Sequence, residues 1–378
     1  MRFREDKLMA YWQNRFATVW EELRNDSQLQ DVPPDLFLCF SDRLSSKKAA
    51  RIRGGKRLVI EISNQFVQGL EEDFSELQGM LVNLMSGSPV AERLEPVDVT
   101  KLFRELTSSF VILHEIFHLI SGHVAWRLSK RPGQHFDEAD LGLQLGSSRR
   151  KETSSNPSYS AIADAYFLES EADCTAVQWM ILSMSQPTLR RILETRARTI
   201  MTFPKQRRVV AFRLLVAAVW LVIRTMESAR RKVIANGSNT HPLPSTRAYT
   251  VFGECLSAYS VVEDVRYDSR GGAQRTLSDN DVRSMNEFLK KVLIPVLRSE
   301  WNPRSGELLP PASLEAQLIH YFPDFGNHLL NRPAETAVGR EMLRLERARF
   351  RMDRSLRRFR YYRPAELKRL ERQEKGAT

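Results

Sequence analysis

Residues Phe110 to His123 read FVILHEIFHLISGH, an apolar run into which three imidazoles and a carboxylate are set. His114, Glu115 and His118 have the spacing H-E-x-x-H. On an α-helix, residues i and i+4 lie one turn apart on the same face, so His114 and His118 point to a common place. Two imidazoles at that separation can grip one metal ion, with Glu115 within reach of a water beside it. Phe110, Val111, Ile112, Leu113, Ile116, Phe117, Leu119 and Ile120 surround them on every side, which predicts a buried helix. Buried polar groups of this kind are unfavourable unless something pairs with them, and a zinc ion would.

A third ligand is expected from a second apolar stretch, 161 to 184, which carries LESEADCTA at residues 168 to 176. Glu169 and Asp173 are four apart and share a helix face, while Glu171 points to another side. With Glu169 the site becomes His-His-Glu, leaving a fourth position open to water, as catalytic zinc sites do. Asp173, one turn on, is placed to hydrogen-bond a ligand histidine and fix its tautomer. Pairing of both carboxylates with surface arginines is the competing reading.

HEIFHLISGH followed about fifty residues later by Glu169-Ser-Glu-Ala-Asp173 resembles the gluzincin metallopeptidases of the CAAX-prenyl-protease and HtpX type, which pair H-E-x-x-H with E-x-x-A-D. Thr240-His241-Pro242-Leu243-Pro244-Ser245-Thr246-Arg247 is similar to the T-H-P-x-x-x-x-R segment of the same family. Lit-like phage-exclusion peptidases are a related possibility. The resemblance covers about residues 57 to 250. It implies a zinc endopeptidase acting on protein or peptide, with one Zn²⁺ held by His114, His118 and Glu169 and with Glu115 as general base. It also implies His241 as the donor to the oxyanion, Arg247 as the residue that orients that loop or binds a carboxylate, and the strand 57 to 63 as a substrate-holding rim. A metzincin site needs glycine and histidine where this chain has Ser121 and Val124. His123 is at the wrong interval for a ligand and is expected to pack or to hydrogen-bond one. Integral-membrane relatives have several spanning helices; none is expected here, because the longest uninterrupted apolar run, Leu214 to Ile223, is too short.

Outward from the two motifs, the fold expected is α+β and mainly helical, a zincin-like arrangement with a short N-terminal sheet and a two-helix zinc site. Helical periodicity of Leu8, Tyr11, Trp12, Phe16, Val19, Trp20 and Leu23 predicts a helix over 5–24. Strands are expected at 36–40 and 57–63, with a basic loop at 45–56 between them. Helices are expected at 64–86, about 98–128, 161–184, 186–204, 208–235, 279–299 and 313–321, and a loop or flap at 129–160 contains His135. The expected division is an N-terminal helix and strand region (1–56), a peptidase domain (57–330) with the 129–160 insertion, and a basic helical tail (331–378).

The chain has 378 residues and a net charge of +11. Residues 340 to 378 contain fourteen Lys or Arg against six Asp or Glu, so most of the excess belongs to the tail. That tail is expected to pack partly on the body, or to contact nucleic acid or another anionic surface. A non-catalytic metal-containing module binding such a partner is therefore the alternative to a peptidase. Three widely spaced cysteines, Cys39, Cys174 and Cys255, and an N-terminus without a signal-peptide pattern point to a reducing, cytoplasmic setting.

Overall fold

The computed structural model describes residues 2–25, 35–42, 50–53, 58–72, 74, 96–129 and 159–184, and the single positions 215, 218, 219, 221, 222, 225, 251, 352, 354–356 and 359. The first helix, α1 (Arg2–Arg24), forms as its periodicity predicts. Trp12, Phe16, Val19, Trp20 and Leu23 are buried along one side of it. Three strands follow: β1 (Leu36–Ser41), β2 (Ala50–Arg53) and β3 (Leu58–Ser63). Residues 64–72 continue from β3 as α2.

The sheet order is β1-β3-β2, with β3 parallel to β1 and antiparallel to β2. Two expectations change here. Residues 50–53 lie in the stretch read as a basic loop, yet they form an edge strand in which Ile52 is buried. Arginines flanking a single apolar residue suit an edge, where charge discourages further pairing, but leave too little alternation to announce a strand. In addition, β3 is the middle strand, paired with β1 along its length and with β2 over Val59–Ile62. Its backbone therefore has no open edge to which an extended substrate could add, so the rim role implied for 57–63 does not hold. Ile60, Glu61, Ile62 and Ser63 are all buried, as befits a strand covered on both faces.

The main helices are α3 (Pro96–Ile120), α4 (His123–Ser129) and α5 (Tyr159–Met184). α3 packs against α1, α4, α5 and β2, and so joins more of the described elements than any other. The single helix expected over 98–128 is in fact two. Gly122 takes a φ of 80°, ending α3 and starting α4. This left-handed conformation suits glycine, and a Cβ there would lie 2.5 Å from the Phe359 carbonyl oxygen.

Within α3, Thr107 and Ser108 are buried but return their hydroxyls to backbone carbonyls of Phe103, Arg104 and Glu105. Such local bonds satisfy polar side chains that a buried helix would otherwise strand. Leu215, Ala218, Val219, Leu221 and Val222 are helical and buried, in accord with the core helix read across 208–235. Met352 and Leu356, from the basic tail, are also buried and cluster with Phe167 and Leu168 of α5. Among the described residues no helix is long and apolar enough to cross a membrane. The helices expected at 186–204, 279–299 and 313–321 and the body of the 129–160 flap lie outside the described residues.

Candidate metal centre

Every residue from Leu106 to Val124 is buried, so the H-E-x-x-H turn of α3 lies in the interior. His114 and His118 project from successive turns with their rings 4.7 Å apart and nearly perpendicular. Their Nε2 atoms face each other at 3.1 Å. The opposing helix, α5, buries one stripe of residues that includes Glu169, Ala172, Asp173, Ala176 and Met180. Small alanines on that stripe leave room for the carboxylates between them and α3.

Glu169 brings Oε2 to 3.7 Å from His114 Nε2 and Oε1 to 3.7 Å from His118 Nε2. One ligand atom from each of the three residues lies within 4.8 Å of the others, and all three side chains are buried. For metal–ligand distances of roughly 2.0–2.2 Å, adjacent vertices of a tetrahedral zinc site lie about 3.3–3.6 Å apart. The observed 3.1 and 3.7 Å separations fit that spacing. Two imidazole nitrogens and one carboxylate are also a donor set that zinc commonly takes. The buried His114-Glu115-x-x-His118 motif with distal Glu169 thus forms a triad suited to a single zinc ion, consistent with a gluzincin-type site.

Each histidine has a further contact on its other ring nitrogen. His114 Nδ1 approaches Asp173 Oδ1 at 2.8 Å. His118 Nδ1 lies 2.9 Å from His123 Nδ1, and His123 Nε2 lies 2.9 Å from Glu171 Oε2. Burial favours the neutral form of His114, but the surrounding carboxylates of Asp173, Glu115 and Glu169 outweigh it and raise its pKa above the ordinary value. Glu115 is fully buried and near enough to His114 to act on its charge.

The sequence brought His114, Glu115, His118, Glu169 and Asp173 forward, and the fold collects them at the meeting of α3 and α5. Glu171 is not among the expected site residues, because helix spacing turns it away from Glu169. Glu171 does leave α5 on a different side from Glu169, but it meets His123 because α4 starts afresh beyond Gly122. The signal was the Gly122-His123 pair, whose glycine marks a break after which helical periodicity no longer applies. His241 and Arg247 lie outside the described residues. No family model, no curated protein and no solved structure matches this chain.

Proposed function

We propose that the chain is a zinc-dependent endopeptidase of the gluzincin type, akin in its motifs to the CAAX-prenyl-protease and HtpX-type enzymes. The observation that carries this reading is the buried cluster of His114, His118 and Glu169, in which three protein ligands are grouped without a fourth among the described residues. A structural zinc site is usually closed by four protein ligands, whereas a catalytic one keeps a position for water or substrate.

Bound there, zinc would supply Lewis-acid polarisation of the scissile carbonyl and a water whose pKa is lowered towards about 7. Glu115 follows His114 directly in α3 and serves as the general base. Its carboxylate accepts a proton from the attacking water and delivers it to the leaving amine nitrogen, so that the C–N bond breaks as a neutral amine departs. His241 donates a hydrogen bond to the oxygen on which negative charge develops, and Arg247 orients the segment carrying it. Asp173 holds the His114 ring in place from behind. The low dielectric of this interior strengthens the interactions of Glu115 and Asp173 relative to water.

Glu115→Gln tests the assignment. The side chain keeps its volume but loses its basicity, while the three zinc ligands are untouched. Hydrolysis of a proteome-derived peptide library, read as new N-termini by mass spectrometry, should fall by at least about 10²–10⁴-fold. Zinc content should stay at one ion per chain. Undiminished cleavage by the variant would refute the role of Glu115.

A further inference from the structure

His118, His123 and Glu171 stand in line, with ring nitrogens and carboxylate at hydrogen-bonding distance at both junctions. His118 and His123 are completely buried and Glu171 is only slightly exposed, with 16% of its side-chain surface accessible. We infer that His123 and Glu171 are positioning residues which fix the tautomer and ring orientation of His118, so that His118 offers an unprotonated Nε2 to the metal position. This rests on the zinc-site reading, but it concerns residues outside the ligand triad.

The argument is one of donors and acceptors. A carboxylate accepts hydrogen bonds and cannot donate them when ionised, so Glu171 Oε2 requires a proton on His123 Nε2. A neutral His123 protonated at Nε2 has a lone pair at Nδ1. Nδ1 of His118, 2.9 Å away, must then be the donor. A neutral His118 with its proton on Nδ1 has its lone pair on Nε2, the atom that faces His114 and Glu169. With both rings neutral and Glu171 ionised, one arrangement of protons satisfies both junctions of the chain, and it is the arrangement that zinc ligation needs. Glu171 sets the direction of the chain, and His123 transmits it.

The backbone is shaped for this contact. At 3.6 residues per turn, a residue five places after His118 in an unbroken helix would point about 140° away from it. Gly122, with φ of 80°, interrupts α3 and returns His123 towards His118. The turn is held by Ser121 N donating to Phe117 O at 2.9 Å and Gly122 N donating to Leu119 O at 3.0 Å. The Phe359 backbone occupies the space beside Gly122, closing the outer side of the turn. The two ligand histidines are therefore oriented differently: His114 by a carboxylate directly, His118 through an intervening imidazole.

The test measures zinc itself, by chelator competition on the full-length chain, alongside nitrogen-15 NMR of histidine rings in the zinc-loaded protein. In the wild type, His118 should show an Nδ1-bound proton and a metal-facing Nε2. His123→Phe keeps a ring but removes the acceptor, and Glu171→Ala removes the acceptor that sets the direction. Each should weaken zinc binding by about 10–100-fold, with the His118 Nδ1 proton losing its hydrogen-bonded signature. His123→Gln and Glu171→Gln retain oxygen acceptors at the two junctions and should recover most of the affinity. Wild-type zinc affinity and an unchanged His118 signal in His123→Phe and Glu171→Ala would overturn the inference. Should His123→Phe fail to fold, the same result in Glu171→Ala alone would do so. A wild-type chain that binds no zinc would overturn it as well. Tight, relay-dependent zinc binding without peptide cleavage would uphold the inference and refute the peptidase assignment, so the two failures remain distinct.

Discussion

From Pro96 to Ser109 and from Phe110 to Ile120, α3 is one continuous helix, yet its two parts use charge in opposite ways. In the first part Arg104 and Glu105 lie partly exposed and tie α3 to its neighbours. Arg104 makes a forked pair with Glu71 at 2.6 and 2.7 Å, and Glu105 meets Arg15 of α1 at 2.9 Å. In the second part no side chain reaches the surface, and the ionisable groups converge on one place together with Glu169 and Asp173. Exposed pairs are screened by water and contribute little, whereas buried groups must be matched by partners or a metal ion. The first part could exchange its charges for other surface residues. The second is held to fixed residue types at fixed spacing, which is what a site requires and a packing face does not.

Gly122→Ala should break this contrast at its strongest point. The new methyl would meet the Phe359 backbone, and alanine would have to hold a φ of 80°. Strain of about 1–3 kcal/mol from the backbone and a similar amount from overpacking would destabilise the fold by about 2–6 kcal/mol. Denaturant unfolding reads this directly, and a change below about 1 kcal/mol would show that the turn relaxes freely.

A pH series sharpens the contrast at the site itself. The pKa of His114 is raised in the folded, metal-free protein, from an ordinary value of 6.5. Its protonated form therefore stabilises the metal-free fold fully below about pH 6.5, and that contribution is lost as pH rises through the raised folded value. Zinc needs the neutral ring, so protons compete with it even above pH 6.5. Zinc affinity should fall with acidification by a factor approaching about tenfold per pH unit for each proton displaced. Chelator competition between pH 8 and pH 6 would measure it, and a pH-independent affinity would contradict it.

The smallest effect belongs to the first part of α3. Arg104→Ala removes the pair with Glu71, whose side chains are 33% and 22% exposed. It should reduce stability by no more than about 1 kcal/mol and leave zinc affinity unchanged. A larger loss, or a shift in zinc binding, would mean that the two parts of α3 are coupled.

Much of the site could be read before the fold. The i, i+4 spacing of His114 and His118 gave a helix face, and the same spacing of Glu169 and Asp173 gave its counterpart. Apolar neighbours on both stretches indicated burial. What escaped was non-periodic. β2 is a four-residue edge strand with one buried apolar side chain, too short for alternation to show. The middle position of β3 depends on pairing between strands, which local pattern does not encode. Partial packing of the basic tail on the body is legible in its interleaved apolar residues, but its partner is not, because Met352 and Leu356 meet α5 nearly two hundred positions away.

By itself the sequence determined which residues could ligate a metal and on which helices they lie, because helical spacing is a local property of the chain. The tertiary structure decided that the α3 and α5 faces meet closely enough for Glu169 to stand 3.7 Å from both histidines. It also decided that Glu171, turned away from Glu169 on its own helix, reaches His118 through His123. The reason is geometric: a helix fixes the relative directions of its own side chains, but the Gly122 turn and the packing of α5 fix the directions of one helix relative to another.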